Sequence, residues 1–492
     1  MRRRRRAVVI GAGLGGLAVA LRLLHQGLDV VVLEREPEIG GRAAQIRARG
    51  FTFDVGPSLI PMPRLLEELF ELAGVRLWDR LRMHRLDPFY RISWQDETRS
   101  FLFSGEREAM LQQIGQFSAT DARRYDAFLA ASRRIYERGV LGTGSPHHRR
   151  SSRFLELLPA VARPGALRPV DGFVGGFFQE PHVRQAFGLH PIFIGGDAHR
   201  APAVYAALAY LQIEEGVWYA EGGIHALVQE LGRLVSKAGG RIVTDRRVTR
   251  INSSQERVRS VRTQAGEEVE ADLIVSNADA LATQTELLGR RASGPSPVMS
   301  CFLLYLGSRQ AFPQLQHHTL LVGHGYRDFI ADVTRRGRLP ESVSLSVHAP
   351  ARTEAAMAPR GGESIAVQLP VPNLRAGLDW ETTAPELRQR VLNALESPGG
   401  LGLSRLRDSI DFEACWTPLD FRDRLGAVDG NAFAVDPTLR QSAHVPTANR
   451  DRRLRGLYYV GGGTHPSAGI PGALLSAELT ARLAGQDQVG PG

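Results

Sequence analysis

"AVVIGAGLGGLAVALRLL", residues 7–24, decides the fold. Ala7 to Ile10 is a short continuous apolar run, as a strand buried on both faces should be. Leu17 to Leu24 has helical spacing. Between them lies G-x-G-x-x-G, with glycines at 11, 13 and 16 and a further one at Gly15. In this pattern Gly11 permits a tight turn, Gly13 lets a pyrophosphate approach the backbone, and Gly16 lets helix and strand pack closely. The helix N-terminus adds free N–H groups and about half a positive charge for phosphates. "LDVVVLE" (28–34) reads as a second buried strand and completes a βαβ unit. It ends on Glu34, 23 residues after Gly11, where a carboxylate accepts hydrogen bonds from ribose hydroxyls.

The same grammar returns at the far end. "LYYVGGGTHPSAGIPGALLSAELTARL" (457–483) reads as a strand over Leu457 to Val460, a glycine-rich loop, and a helix from about Ala473. It returns in the middle as well. "EGGIHALVQELGRLVSKAGG" (221–240) puts Ile224, Leu227, Val228, Leu231, Leu234 and Val235 on one helical face. "RIVTDRRVTRI" is a candidate strand pair, and "ADLIVSNAD" (271–279) is another buried strand. Long insertions separate these α/β pieces. The first carries a hairpin, "FYRISW" (89–94) with "RSFLF" (99–103), and a helix from about Asp121 to Ile135. An irregular basic loop, "GTGSPHHRRSSR" (142–153), follows. The second insertion opens after a linker, "SGPSP" (293–297), and is β-rich around residues 301–307, 342–349 and 364–371. The expected fold is α/β: a discontinuous Rossmann-like domain over 1–75, 215–290 and 445–492. A β-rich domain covers 76–107 and 291–444, and a helical insertion 108–214.

Composition narrows the function classes. The 492 residues are 43% hydrophobic and 23% charged, a globular balance rather than a disordered one. Two cysteines, Cys301 and Cys415, argue against a disulfide framework or a cysteine-built metal site. The net charge is +9, yet of 61 basic residues Lys237 is the only lysine. The arginines are scattered and no aromatic stripe accompanies them, which argues against nucleic-acid binding. "MRRRRR" is followed by an apolar stretch that glycine breaks at once, so it reads as a solvated tip rather than a targeting signal. The longest attractive uncharged run, "APAVYAALAYLQI", has 13 residues, short of the ~20 that span a bilayer. There is no H-E-x-x-H or similar metal spacing, and no metal is expected. His190, His199, His225 and His444 read as structural.

"REPEIGGRA" (35–43) and "GFTFDVGPSLI" (50–60) separate two cofactors. A nicotinamide dehydrogenase has no particular need of a second glycine-arginine element after Glu34. A flavoprotein does, because FAD extends further across the sheet. With "VSNADA" and the C-terminal loop, these stretches resemble the bacterial carotenoid phytoene desaturase family. "DPFYRISW", "HVRQAFGLH", "EEGVWYAEGGIHALVQ", "LDFRDRLGAVDGNAFAVDPTLRQSA" and "NRD" extend the resemblance over nearly the whole chain, in the family's order. Two features depart from it: Ser467 stands where the family commonly has glycine, and "SSRFLELLPA" (151–160) aligns poorly.

The resemblance implies FAD, a lipophilic isoprenoid substrate and peripheral membrane association on the cytoplasmic side. It implies cofactor contacts from Gly11, Gly13, Gly15, Gly16, Glu34, Arg35, Gly41 and Arg42, the last pairing with pyrophosphate. Gly56, Pro57 and Ser58 are expected near the flavin, with Val248 as a further contact. Gly462, Gly463, Thr464, Gly469, Ile470, Pro471 and Gly472 complete the set. His465, in the same loop, is the one candidate for proton transfer.

The implied reaction dehydrogenates a CH₂–CH₂ unit beside a conjugated polyene, a hydride going to flavin N5 and a proton leaving the neighbouring carbon. Phytoene is the expected substrate. A later carotenoid, as in hydroxyneurosporene or 3,4-desaturases, is the alternative. Non-enzymatic prenyl-lipid escort proteins of the same fold are a further one. A hydrocarbon offers no polar handle, so its tunnel should be aliphatic and aromatic. Docking on the bilayer is expected through Arg149, Arg150 and Arg153 with Phe154, Leu155, Leu157 and Leu158, helped by Phe177 and Phe178.

Overall fold

A computed structural model describes residues 4–137, 168–291, 299–433, 449–466 and 468–488. The basic loop at 142–153, the linker at 293–297, His444 and Ser467 lie outside the described residues, as do Arg149, Arg150, Arg153, Phe154, Leu155, Leu157 and Leu158.

Five parallel strands form the central sheet: β1 (Arg6–Ile10), β2 (Asp29–Leu33), β3 (Arg241–Val243), β4 (Leu273–Ser276) and β5 (Leu457–Tyr459). Their order is β3-β2-β1-β4-β5, so the sheet draws on the start, middle and end of the chain. Val8 pairs with Val31 on one side and Ile274 on the other, and Ile274 pairs with Leu457. Alternation along β1 sorts the two faces. Ala7 and Val9 point into a core shared with three helices: α1 (Leu14–His25), α2 (Ile224–Lys237) and α3 (Gly469–Gln488). Val8 and Ile10 point the other way, into a core with Val248, Ile251, Val258 and Val261. Those four belong to a three-stranded antiparallel meander, Val248–Ser254, Arg257–Thr263 and Glu268–Glu270.

Two local expectations change. The halves of "RIVTDRRVTRI" are both strands but do not pair with each other. The first is β3, in the parallel sheet, and the second opens the meander. The last helix starts at Gly469 rather than near Ala473. Pro471 does not prevent this, because N–H groups in the first turn have no intrahelical partner to lose.

The second insertion builds a seven-stranded sheet, in the order 410–416, 299–308, 363–372, 345–348, 318–322, 90–94, 100–103. The expected hairpin forms its edge, with Tyr90 opposite Phe103. The pair 318–322 and 90–94 is parallel, and the other pairs are antiparallel. Helices from 107–135 and 170–215 cover the hairpin end through Tyr125, Phe128, Phe178 and Phe187. Phe178 is therefore fully buried, stacked on Phe187 at 4.7 Å, and its neighbour Phe177 packs on Phe128. Of the aromatic pair expected to enter a bilayer, Phe178 belongs to the core and Phe177 is half-buried against it, because the surrounding helices supply matching rings.

Candidate active site

Both glycine-rich loops open on one cavity of about 600 Å³. Its wall includes Gly11, Gly13, Gly15, Glu34, Arg35, Gly41 and Arg42 from the N-terminal pieces. Gly56, Pro57, Ser58 and Val248 join them. Gly462, Gly463, Thr464, Gly469, Ile470, Pro471 and Gly472 close the end formed by α3.

Two expected residues stay out of the wall. A Cβ at Gly16 would lie 2.0 Å from the Gly11 carbonyl oxygen, so this glycine serves helix–strand packing rather than contact. His465 is also absent from the wall. Its carbonyl accepts from Asn449 Nδ2 at 3.0 Å, and burial lowers the pKa of its ring. The proton-transfer role expected of His465 therefore has no geometry to support it. A polar knot behind the loop sets this course. Asn449 is buried beside Ser476 and Thr480, Thr464 Oγ1 meets Ser476 Oγ at 2.6 Å, and the Gly461 N–H donates to Ser476 Oγ at 3.1 Å.

Asn277 has no assigned role in the sequence reading. It follows β4 and lies between the loops. Its side-chain oxygen is 2.7 Å from the Cβ positions of both Gly15 and Gly461, and its nitrogen is 2.9 Å from that of Gly13. The signal was present in "VSNADA", where a polar residue ends a buried strand beside the first loop.

The polar end carries unpaired donors. α1 starts on Gly13 with no side-chain cap and no acid in its first turn, and α3 also has no acid there. Among the described residues Arg42 donates to two carbonyls, Nε to Ala432 at 3.2 Å and Nη2 to Asn431 at 3.4 Å. No carboxylate lies within 4.0 Å of it among the described residues. Glu34 is buried, and each of its oxygens already accepts one backbone N–H, from Ala12 at 2.6 Å and Glu36 at 3.1 Å. One lone pair on each oxygen remains for a hydroxyl donor. Helix termini and an arginine with no carboxylate within 4.0 Å among the described residues fit a diphosphate, and a carboxylate with spare acceptor sites fits a ribose. The residues present therefore fit FAD.

The rest of the wall is different. The helical layer contributes Tyr136, Leu189, Ile192, Phe193, Val204, Leu208 and Leu211, and the facing sheet Leu303, Leu320 and Leu345. Among the described residues of 136–217 and 301–370 the wall receives no Asp, Glu, Arg, Lys or His. Gln212 and Gln368 are its amides, and each is engaged, by Tyr90 Oη at 3.1 Å and Cys301 Sγ at 3.3 Å.

A parallel sheet with an FAD-shaped polar cradle, continuous with an apolar chamber, defines a flavin-dependent oxidoreductase of lipophilic molecules. Comparison with known proteins gives the particular family. The model of flavin containing amine oxidoreductases matches residues 14–484. The chain is 37% identical to a lycopene-forming phytoene desaturase of Pantoea ananas, over 98% of this chain and 99% of that protein. It is 34% identical to a zeta-carotene-forming phytoene desaturase of Myxococcus xanthus, over 97% and 94%. Among solved structures, an oxidoreductase from Methanosarcina mazei shares the fold with a TM-score of 0.65 at 16% identity, covering 97% of this chain and 100% of that one. The chain belongs to the flavin containing amine oxidoreductases and, among them, to the bacterial phytoene desaturases.

Proposed function

We infer that the protein is an FAD-dependent carotene desaturase that dehydrogenates phytoene stepwise, towards lycopene or a related polyene. The observation that carries this reading is the single cavity joining the polar cradle to a chamber that receives no Asp, Glu, Arg, Lys or His from the described residues of its 136–217 and 301–370 walls. When bound, FAD supplies the hydride acceptor. The first loop, Glu34 and Arg42 hold the two phosphates and the ribose. The turn at Gly56–Ser58 and the first turn of α3 bound the cavity beside them. The leucines and aromatics of the chamber orient a hydrocarbon by shape alone and keep water out. Their neutrality has an energetic reason, since each polar group left unpaired there costs roughly 1–3 kcal/mol. Expression in a host that accumulates phytoene tests the assignment. Phytoene should be consumed and coloured polyenes should form. An unchanged pigment profile from a soluble, flavin-loaded protein refutes it, and conversion of a later carotenoid alone favours the alternative substrate.

We further propose that the protein docks peripherally on the cytoplasmic face of the membrane, where its substrate resides. An insoluble substrate supports this, together with the lack of any helix long and apolar enough to cross a membrane among the described residues. The arginines at 149, 150 and 153 are each worth about 1 kcal/mol near anionic headgroups. Replacing all three with glutamate should lower binding to anionic liposomes by about a hundredfold, at unchanged FAD content. Equal binding by the variant would place the docking surface elsewhere.

A further inference from the structure

Beside the turn that bounds the cavity, three histidines converge from two neighbouring strands. His317 and His318 precede and open the strand His318–Val322, and His348 ends its antiparallel partner, Leu345–His348. One ring nitrogen of each lies within 4.8 Å of those of the other two, and all three side chains are buried. His317 and His348 face each other through their Nε2 atoms at 3.2 Å. His318 Nε2 is 2.8 Å from Ser58 Oγ, and Ser58 lies in the cavity wall.

We propose that His317, His318 and His348 form a metal site for a divalent first-row cation such as Zn²⁺. Three observations support it. Two nitrogens bound to one tetrahedral zinc at about 2.05 Å stand roughly 3.3 Å apart, close to the 3.2 Å observed. Zinc-bound histidines hold their other ring nitrogen to an outer partner, and His317 Nδ1 is 2.6 Å from Thr353 Oγ1.

The third observation concerns charge, because a buried dication needs compensation. Tyr219 packs its ring 4.7 Å from His317 and donates its hydroxyl to Glu354, the residue after Thr353. Asp54 lies within the field of Glu354, and burial pushes its carboxyl up to about 7. Neither carboxylate has an arginine, lysine or histidine partner within 4.0 Å among the described residues. A cation in the histidine cluster would be offset by Glu354, which Tyr219 links to His317. Its role would be to tie the Gly56–Ser58 turn to the seven-stranded sheet. The site is independent of the substrate proposed above.

The test uses the full-length protein, produced without an affinity tag or chelator and loaded with FAD. Elemental analysis should find about one zinc per chain, in keeping with the affinities of multi-histidine sites. His348→Gln should lose at least about nine-tenths of that metal while keeping FAD and a cooperative unfolding transition. Zinc added back to chelator-treated wild type should raise its Tm, and a zinc-binding dye should then be outcompeted at micromolar concentrations or below, approximately. Sub-stoichiometric metal in the wild type together with no uptake by the chelated protein overturns the proposal. The cluster would then be two hydrogen-bonded imidazoles and a third held by Ser58. Equal metal in His348→Gln overturns it as well. If that variant does not fold, uptake by the wild type decides.

Discussion

In the first glycine-rich loop a methyl group on Gly16 would sit 2.0 Å from the Gly11 carbonyl oxygen. In the second loop a methyl group on Gly462 would meet, among the described residues, no atom closer than 3.6 Å, the Cα of Ala468. Gly13 falls between the two cases. Its nearest protein neighbour would be the Asn277 side-chain nitrogen at 2.9 Å, and the next the Gly40 carbonyl oxygen at 3.6 Å. The loops share a grammar, but different bodies impose it. The protein's own backbone demands glycine at 16. At 462 the described residues leave room, whereas at 13 the Asn277 side chain would have to shift, and both residues line the cavity.

Substitutions turn this contrast into measurements. Gly16→Ala should have the largest effect, because a backbone carbonyl cannot swing aside as a side chain can. Overpacking of this kind costs about 3 kcal/mol or more. Chemical denaturation should show that loss, with or without added FAD. A stability within about 0.5 kcal/mol of the parent would contradict the packing role. Gly13→Val comes next. It should fold once Asn277 shifts, yet purify with less than about a tenth of the parent's FAD, since a branched side chain fills the gap left for pyrophosphate. Stoichiometric flavin in this variant would place the cofactor elsewhere. Gly462→Ala should be milder. Its unfolding midpoint without FAD should match the parent, while FAD binds about tenfold more weakly, a difference of ~1.4 kcal/mol. A destabilised apoprotein with unchanged affinity would reverse the assignment of this glycine.

Much of this site was legible in the sequence. Strand, glycine loop, helix and terminal acid are local patterns, and local patterns survive translation into structure. The discontinuous sheet was legible too, since each piece repeats the βα grammar. Residues whose roles depend on distant partners were not. Asn277 serves both loops, but only the parallel pairing of β4 between β1 and β5 brings them together. The histidine cluster depends on the register that sets His318 opposite His348, 30 residues on. Phe178 read as a surface aromatic because nothing local announces Phe187 and Phe128 as its neighbours. His465 failed for a related reason: its loop touches the cavity, but the knot around Asn449 decides which residues of that loop face inward.

Glu34 offers the finest test of the contrast, because it serves protein and cofactor at once. Its buried carboxylate accepts the Ala12 N–H at 2.6 Å, which fixes the first loop from within, and it also lines the cavity. Glu34→Ala removes both functions. Charge-assisted hydrogen bonds are worth roughly 1.5–3 kcal/mol, so FAD should bind about ten- to a hundredfold more weakly. The apoprotein should lose stability as well, since the Ala12 donor is left without its acceptor. Glu34→Gln separates the two effects. The amide oxygen can still accept from Ala12, so the apoprotein should unfold within about 0.5 kcal/mol of the parent. What is lost is the charge that strengthens bonds from the ribose, and FAD affinity should fall by about tenfold or less. Flavin fluorescence titration and apoprotein unfolding, run on both variants, read the two effects separately. If Glu34→Ala leaves the FAD dissociation constant unchanged, the carboxylate serves the loop alone, and the ribose must be held by another group.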